Sequence, residues 1–299
     1  MGVEFEPVWD SIIAWYLFLA GLGGGAFASA AFLRWKHPEA RFMRRAGHLI
    51  APVVVIVGLL LLIVDAKGGL YNPWRFVFLL TNFNSVMTWG VVFLSVFTIV
   101  SLIAVLMDFL KKEMPCWLEI VGVVFAVAVA MYTGALLGVC KPFPLWNSAL
   151  LPVLFLVSAF STGAALVLAV GALFAGKEFD EVGLFKKAHF CLPLIEIVLV
   201  ALLLFVTSST SLAGWNSVAS LVSGEWALQF WLVFVVLGLV LPSIIDGILL
   251  FAVSPQVEES RGAHGLSALV GLGVLVGGYF LRYLIVVAAL PITVVAAAL

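Results

Sequence analysis

The sequence predicts an all-α integral membrane protein with eight transmembrane helices, and three observations predict it. Apolar residues make up 64% of the 299 and charged residues only 10%, where a water-soluble domain would carry about a quarter. Mean hydropathy is +1.24. Apolar stretches of about 20 residues recur along the whole chain, the length that crosses a hydrocarbon layer ~30 Å thick. No water is available there to satisfy a peptide group, so each segment closes its own hydrogen bonds as a helix.

The spans follow in order. The first, 10–33, has no basic region ahead of it and no cleavage site behind it, so it reads as a retained span rather than a signal peptide. Its GLGGG at 21–25 follows no strand and reads as packing glycine, not a nucleotide loop. The second, 47–65, ends on Asp65. The stretch "GGLYNPWRFVFLLTNFN" after it is too polar for a clean span; it is expected at the membrane interface, with Trp74 and Arg75 near the headgroups. Asn84 and Ser85 open the third span, 85–110, and Tyr132-Thr133-Gly134 closes the fourth, 118–139. A loop bearing Pro142, Pro144 and Trp146 leads into the fifth, 149–175. The sixth, 187–208, holds Glu196; the seventh, 228–252, holds Asp246; the eighth, 265–290, holds Arg282. No linker is long enough for a separate soluble domain, so residues 1–299 read as one transmembrane domain.

Orientation follows from the basic residues. Eleven of the fifteen lysines and arginines fall in the first, third, fifth and seventh loops, and three fall on the opposite side. Basic loops stay in the cytoplasm, so both termini are expected outside. "YLFLAGLGGGAF" in the first span echoes "VLFLVSAFSTGAA" in the fifth, and both run in the same direction. The echo reads either as a four-plus-four duplication, giving two four-helix bundles, or as small-residue packing that recurs in any helical bundle. A net charge of −1 points away from nucleic acid. Cys116, Cys140 and Cys191 have no metal-ligand or disulfide spacing, so no metal site is expected.

Ionisable groups inside spans are the next clue, because each costs about 2.5–3.5 kcal/mol at mid-helix. Converting sequence offset into depth at ~1.5 Å per residue sorts them into layers. Tyr16, Asp65, Ser85, Tyr132 and Arg282 fall in the outer half, Glu196 lies nearest the midplane, and His48, Asp108, His189, Asp246 and His264 lie towards the cytoplasmic side. A phenol such as Tyr132 can donate to a carbonyl oxygen while its ring packs on an apolar ring system; the competing reading is an aromatic belt residue. Asp65 and Arg282 read as an ion pair, either purely neutralising or forming one wall of a site. Glu196 reads as a step in a proton path that joins the outer layer to Asp246, or as a neutral carboxyl bonded to a neighbouring helix. The histidines lie near the cytoplasmic boundary, so no haem is expected.

Four stretches resemble a known family, the NrfD/PsrC-type (polysulfide reductase-like) quinone-reactive membrane subunits. They are "WYLFLAGLGGGAF" (15–27), "DAKGGLYNPWRFVFLLTNFNSVMTWG" (65–90), "YTGALLGVCKPFPLWNSALLPVLFLVSAFSTGAA" (132–165) and, more weakly, "RYL" (282–284). The resemblance implies a haem-free eight-helix anchor in a bacterial or archaeal cytoplasmic membrane. It would exchange electrons between menaquinone or ubiquinone and a four-cluster ferredoxin-like iron–sulfur subunit, which connects to a molybdopterin catalytic subunit. It places Tyr132 at the quinone head group, with Tyr16 from the first helix, Thr133 and the 140–147 loop at the mouth, and Ser85 nearby. Asp65, Glu196, Arg282 and Asp246 are then candidates for moving protons. Where relatives can place Asn or His a turn earlier in the first helix, this chain has Ile13 and Ala14. A secondary transporter or proton-conducting protein is the alternative class, since buried charges and a repeat suit it as well.

Overall fold

A computed structural model describes residue 9 and residues 11–65, 78, 80, 82–252 and 260–292. Trp74 and Arg75, expected at the interface, lie outside the described residues. Eight described helices are long and apolar enough to cross a bilayer. They are α1 (Ser11–Lys36), α2 (Arg41–Asp65), α3 (Val86–Phe109), α4 (Cys116–Gly138), α5 (Leu150–Phe174), α7 (Gly183–Thr210), α9 (Gln229–Phe251) and α10 (Arg261–Val287). Two short helices, α6 (Lys177–Glu181) and α8 (Leu212–Val222), lie between them. Where α2, α7 and α10 start earlier than expected, the added turns carry Arg41, Arg44, Arg45, Lys186 and Arg261. Helical hydrogen bonding does not stop where apolar composition stops; it runs on into the headgroup region.

The eight helices fall into two groups of four with the same pairing pattern. In α1–α4, the first helix packs on the second and fourth, and the third packs on both of these. In α5, α7, α9 and α10 the same neighbours recur in the same order. The groups meet along α1 and α5, the two helices whose sequences echo each other. Their contact is backbone to backbone: a Cβ on Gly25 would strike the carbonyl of Ala159, and one on Gly163 would strike the backbone of Gly25 and Ala26. In a medium as apolar as the helices themselves, close approach of this kind replaces the hydrophobic effect as the source of association.

α1 is the most enclosed of the eight, touching α2, α4, α5 and α10, while the outer helices turn one side to lipid. The buried phenol of Tyr16 on α1 therefore meets another helix. Residues Gln229–Val240 of α9 form a π-helix, where the sequence led us to expect an ordinary span. The wider turn is rare and seldom extends beyond one turn; here it brings Gly238 against Gly277 of α10.

One end of the bundle, where α1 ends and α2 begins, carries most of the described basic residues. There Glu119 is fully buried and accepts from the Trp35 indole Nε1 at 2.9 Å, with Arg34 at 3.3 Å. His48 pairs with Asp108 at 2.6 Å and His264 with Asp180 at 2.8 Å. At the opposite end, the loop after α4 is packed rather than open. Phe143, Leu145 and Trp146 are buried, Trp146 stacks on Phe143 and Trp9, and its Nε1 donates to the carbonyl of Ile285 at 2.7 Å. The amide of Ile292 closes the same clasp on Pro142 at 3.0 Å.

Candidate functional site

Among the described residues, two buried polar clusters lie deep between the helices and away from the basic end, both built against α1. The first is a pair of phenols. Tyr16 of α1 and Tyr132 of α4 are both buried, and their hydroxyls are hydrogen-bonded to each other. Tyr132 fits because α3 has no side chain at Gly90: a Cβ there would overlap the end of the phenol ring. Gly90 follows Trp89, which is half exposed and donates to the carbonyl of Phe83 at 3.1 Å. So the helix start that carries Ser85 as its N-cap also supplies the space that Tyr132 occupies. Two hydroxyls that share one hydrogen bond commit one proton and leave the other free to donate.

Thr133 is buried beside Tyr132, but its hydroxyl donates to Ala130 of its own helix at 2.7 Å. The 140–147 loop, expected to shape a mouth, forms the packed clasp described above. Asp65 ends α2.

The second cluster surrounds Arg282. This guanidinium is fully buried; its Nη1 donates to Gly278 O at 2.8 Å and to Ser158 Oγ at 3.2 Å, and its Nη2 to Phe155 O at 3.4 Å. The ring of Phe155 covers one side, 5.0 Å from the guanidinium carbon, and Phe18 of α1 lies at 5.8 Å. The acid beside it is Glu196 of α7, which also hydrogen-bonds Ser158. The expected partner, Asp65, is replaced by a residue that depth alone had placed nearer the midplane. The long arginine side chain explains this, since it carries its charge well below its own Cα. Gly21 of α1 makes room: a Cβ there would lie 2.8 Å from Nη2. Four helices, α1, α5, α7 and α10, thus enclose two opposite charges that share Ser158 as a partner.

Asp246 is not part of that cluster. It lies at the basic end, 3.2 Å from Nδ1 of His189 on α7. His189 and Glu196 are seven residues apart, which puts them on nearly the same face and ~10 Å apart along the axis. Pro193 stands between them inside the helix. It has no N–H, so the carbonyl of His189 loses its helical donor. Asp246, His189, a released carbonyl, Glu196, Ser158 and Arg282 therefore follow one another from the basic end into the bundle.

Ser158 and Glu119 were not singled out from the sequence, and Gly21 was read only as packing glycine. Serine and glycine in a membrane helix look like packing residues, and an acid in the first turn of a helix is ordinary. The signal for Ser158 and Gly21 lay in the echo itself, whose two copies bring both residues to one side of the α1/α5 contact.

Comparison with known proteins adds an independent line. A family model described as "Polysulphide reductase, NrfD" matches residues 3–294. One of the polysulfide reductase chains of Wolinella succinogenes is 36% identical, over 92% of this chain and 93% of its own length. Protein NrfD of Escherichia coli is 31% identical, over 95% and 96%. A selenate reductase subunit of Mesobacillus selenatarsenatis is 26% identical over 61% of this chain and 42% of its own.

Proposed function

The chain belongs to the NrfD family of polysulphide reductase membrane proteins, and on that premise we propose that it is the haem-free anchor of a multisubunit oxidoreductase. In this reading it binds menaquinone or ubiquinone at the Tyr16–Tyr132 pair and exchanges electrons with an iron–sulfur subunit that serves a molybdopterin catalytic partner. The names of its relatives, polysulfide and selenate reductase subunits, support membership of such a complex. The end with Tyr16 and Tyr132 would face outside, as the distribution of basic residues suggests.

The observation that carries the reading is the buried phenol pair. A quinone head group asks for a donor to its carbonyl oxygen in an otherwise apolar wall, and the uncommitted hydroxyl proton of the pair fits that need. A bound quinol supplies two electrons and two protons on oxidation. Tyr132 would donate to the head-group oxygen, Tyr16 would hold the phenol in place, and Thr133 would fix the turn that carries it. Ser85 and Gly90 would set the α3 wall. Glu196, beside Arg282 and Ser158, would hold a proton inside the bundle, and Asp246 with His189 would connect that position to the basic end. Asp65 would serve at the opposite end.

The test is Tyr132→Phe in the assembled complex. Loss of one hydrogen bond worth ~1–1.5 kcal/mol should lower quinol-linked turnover about tenfold. Assembly, and turnover with an artificial donor that bypasses quinone, should not change. Unchanged quinol-linked turnover would remove Tyr132 from the mechanism.

A further inference from the structure

The basic end holds a second feature, unconnected to the phenol pair. Between the α1–α2 turn and the end of α3 lies a groove of about 320 Å³ lined by six basic and three acidic side chains. One of the acids, Asp108, is already engaged: it pairs with His48 at 2.6 Å and faces Arg44 at 4.0 Å. Among the described residues, Arg41, Arg45, Lys111 and Lys112 have no carboxylate within ion-pair distance. The groove is therefore cationic after internal pairing.

Arg45, Asp108 and Lys111 also line a second groove of about 320 Å³, which runs on between α2 and α3. Its other walls are Leu49, Val105 and Phe109, and Leu49 and Phe109 are exposed on the surface that spanning helices turn to lipid. A cationic recess thus opens directly into an apolar channel running along the helices. A free anion needs only the first; a phospholipid needs both, in this order and at this depth.

The chain holds one of these cations in place at a conformational cost. Lys111 ends α3 in the left-handed region, φ 55°. Its amide donates to Asp108 O and the Lys112 amide to Met107 O, at 3.2 and 2.9 Å, the hydrogen-bond pattern that normally ends in glycine. A lysine there loses the freedom glycine would have. It gains a charge at the carbonyl end of the helix, facing the groove.

We infer that this pair of grooves binds a phospholipid with an anionic headgroup, its phosphate among Arg41, Arg45, Lys111 and Lys112 and an acyl tail against Leu49, Val105 and Phe109. Phosphatidylglycerol and cardiolipin have this chemistry. Each basic residue removed near an anionic surface should weaken binding about fivefold.

The test uses the purified full-length protein in neutral detergent. Native mass spectrometry would follow titration with phosphatidylglycerol, with phosphatidylcholine, and with inorganic phosphate alone. The unaltered protein should bind phosphatidylglycerol at least tenfold tighter than phosphatidylcholine. Lys111→Gly combined with Arg45→Gln should erase most of that preference without loss of thermal stability, because glycine is relaxed at that backbone position. A second variant, Val105→Trp, keeps every charge and fills the apolar channel; it should weaken phosphatidylglycerol binding and leave phosphate binding as it was. Equal affinity for the two lipids, or a preference that survives the charge variant, would overturn the assignment. So would phosphate competing for the site while Val105→Trp has no effect, which would mark an anion site and not a lipid site.

Discussion

Gly21 and Arg282 show how tightly single positions constrain one another in this interior. Arg282 reaches Ser158, beside Glu196, across the space that α1 leaves by having no side chain at Gly21. Gly21→Ala should therefore destabilise the fold by about 1–3 kcal/mol, the usual cost of overpacking, seen as a lower midpoint of thermal unfolding in detergent. The two opposite charges yield a sharper test. Glu196→Leu leaves a buried guanidinium uncompensated and should cost about 3–5 kcal/mol, whereas Glu196→Leu with Arg282→Met removes both charges and should recover most of it. Additive losses in the double variant would show that the two side chains do not act as a pair. The identities and depths of these residues were legible in the sequence, since offset along a helix converts directly into height in the membrane. Facing was not. The spans are apolar around most of their circumference, so the sequence carries little information on which way a side chain points. Asp65 is thus the acid that depth alone selects for Arg282, and Glu196 takes that place.

Among the elements, α1 and α5 decide whether the bundle forms. Their backbones touch at Gly25 and Gly163, where even one methyl group would meet backbone atoms that cannot move aside. Gly163→Ala should lower the unfolding midpoint far more than Gly183→Ala, where a Cβ meets nothing within 4 Å and the change should stay within ~0.5 kcal/mol. Equal effects at the two sites would show that the α1/α5 contact contributes little. The number of spans could be read because hydrocarbon thickness fixes the length of apolar chain that each one needs. The short α8 could not. Ser211 caps it and the Leu290 amide ties it down by donating to Ser217 Oγ at 2.9 Å, but a lone capping serine beside a polar stretch does not distinguish a turn from a helix. The π-helix in α9 left no trace in composition, because a change in hydrogen-bond register needs no change in residue type.

For the whole molecule, the repeated pairing pattern gives the echo in the sequence a structural counterpart: two four-helix groups related by order and joined by their first helices. Which end faces outside is open to a direct labelling test. Cys116 is exposed at the basic end and Asn147 at the opposite end. In intact cells, a membrane-impermeant thiol reagent should label an Asn147→Cys variant and should reach Cys116 only after permeabilisation. The reverse pattern would invert the molecule and place the phenol pair on the cytoplasmic side.

The clasp at Trp146 bears on how such a molecule can work. Trp146 belongs to the segment joining the first group of helices to the second, yet its indole is fastened to the last turn of α10, and Pro142 receives the amide of Ile292 beyond it. A carrier that rocks its halves to expose a cargo alternately to each compartment would have to break both fastenings, together with the α1/α5 seam, in every cycle. A frame locked in this way instead holds the phenol pair and the Arg282 cluster at fixed separation.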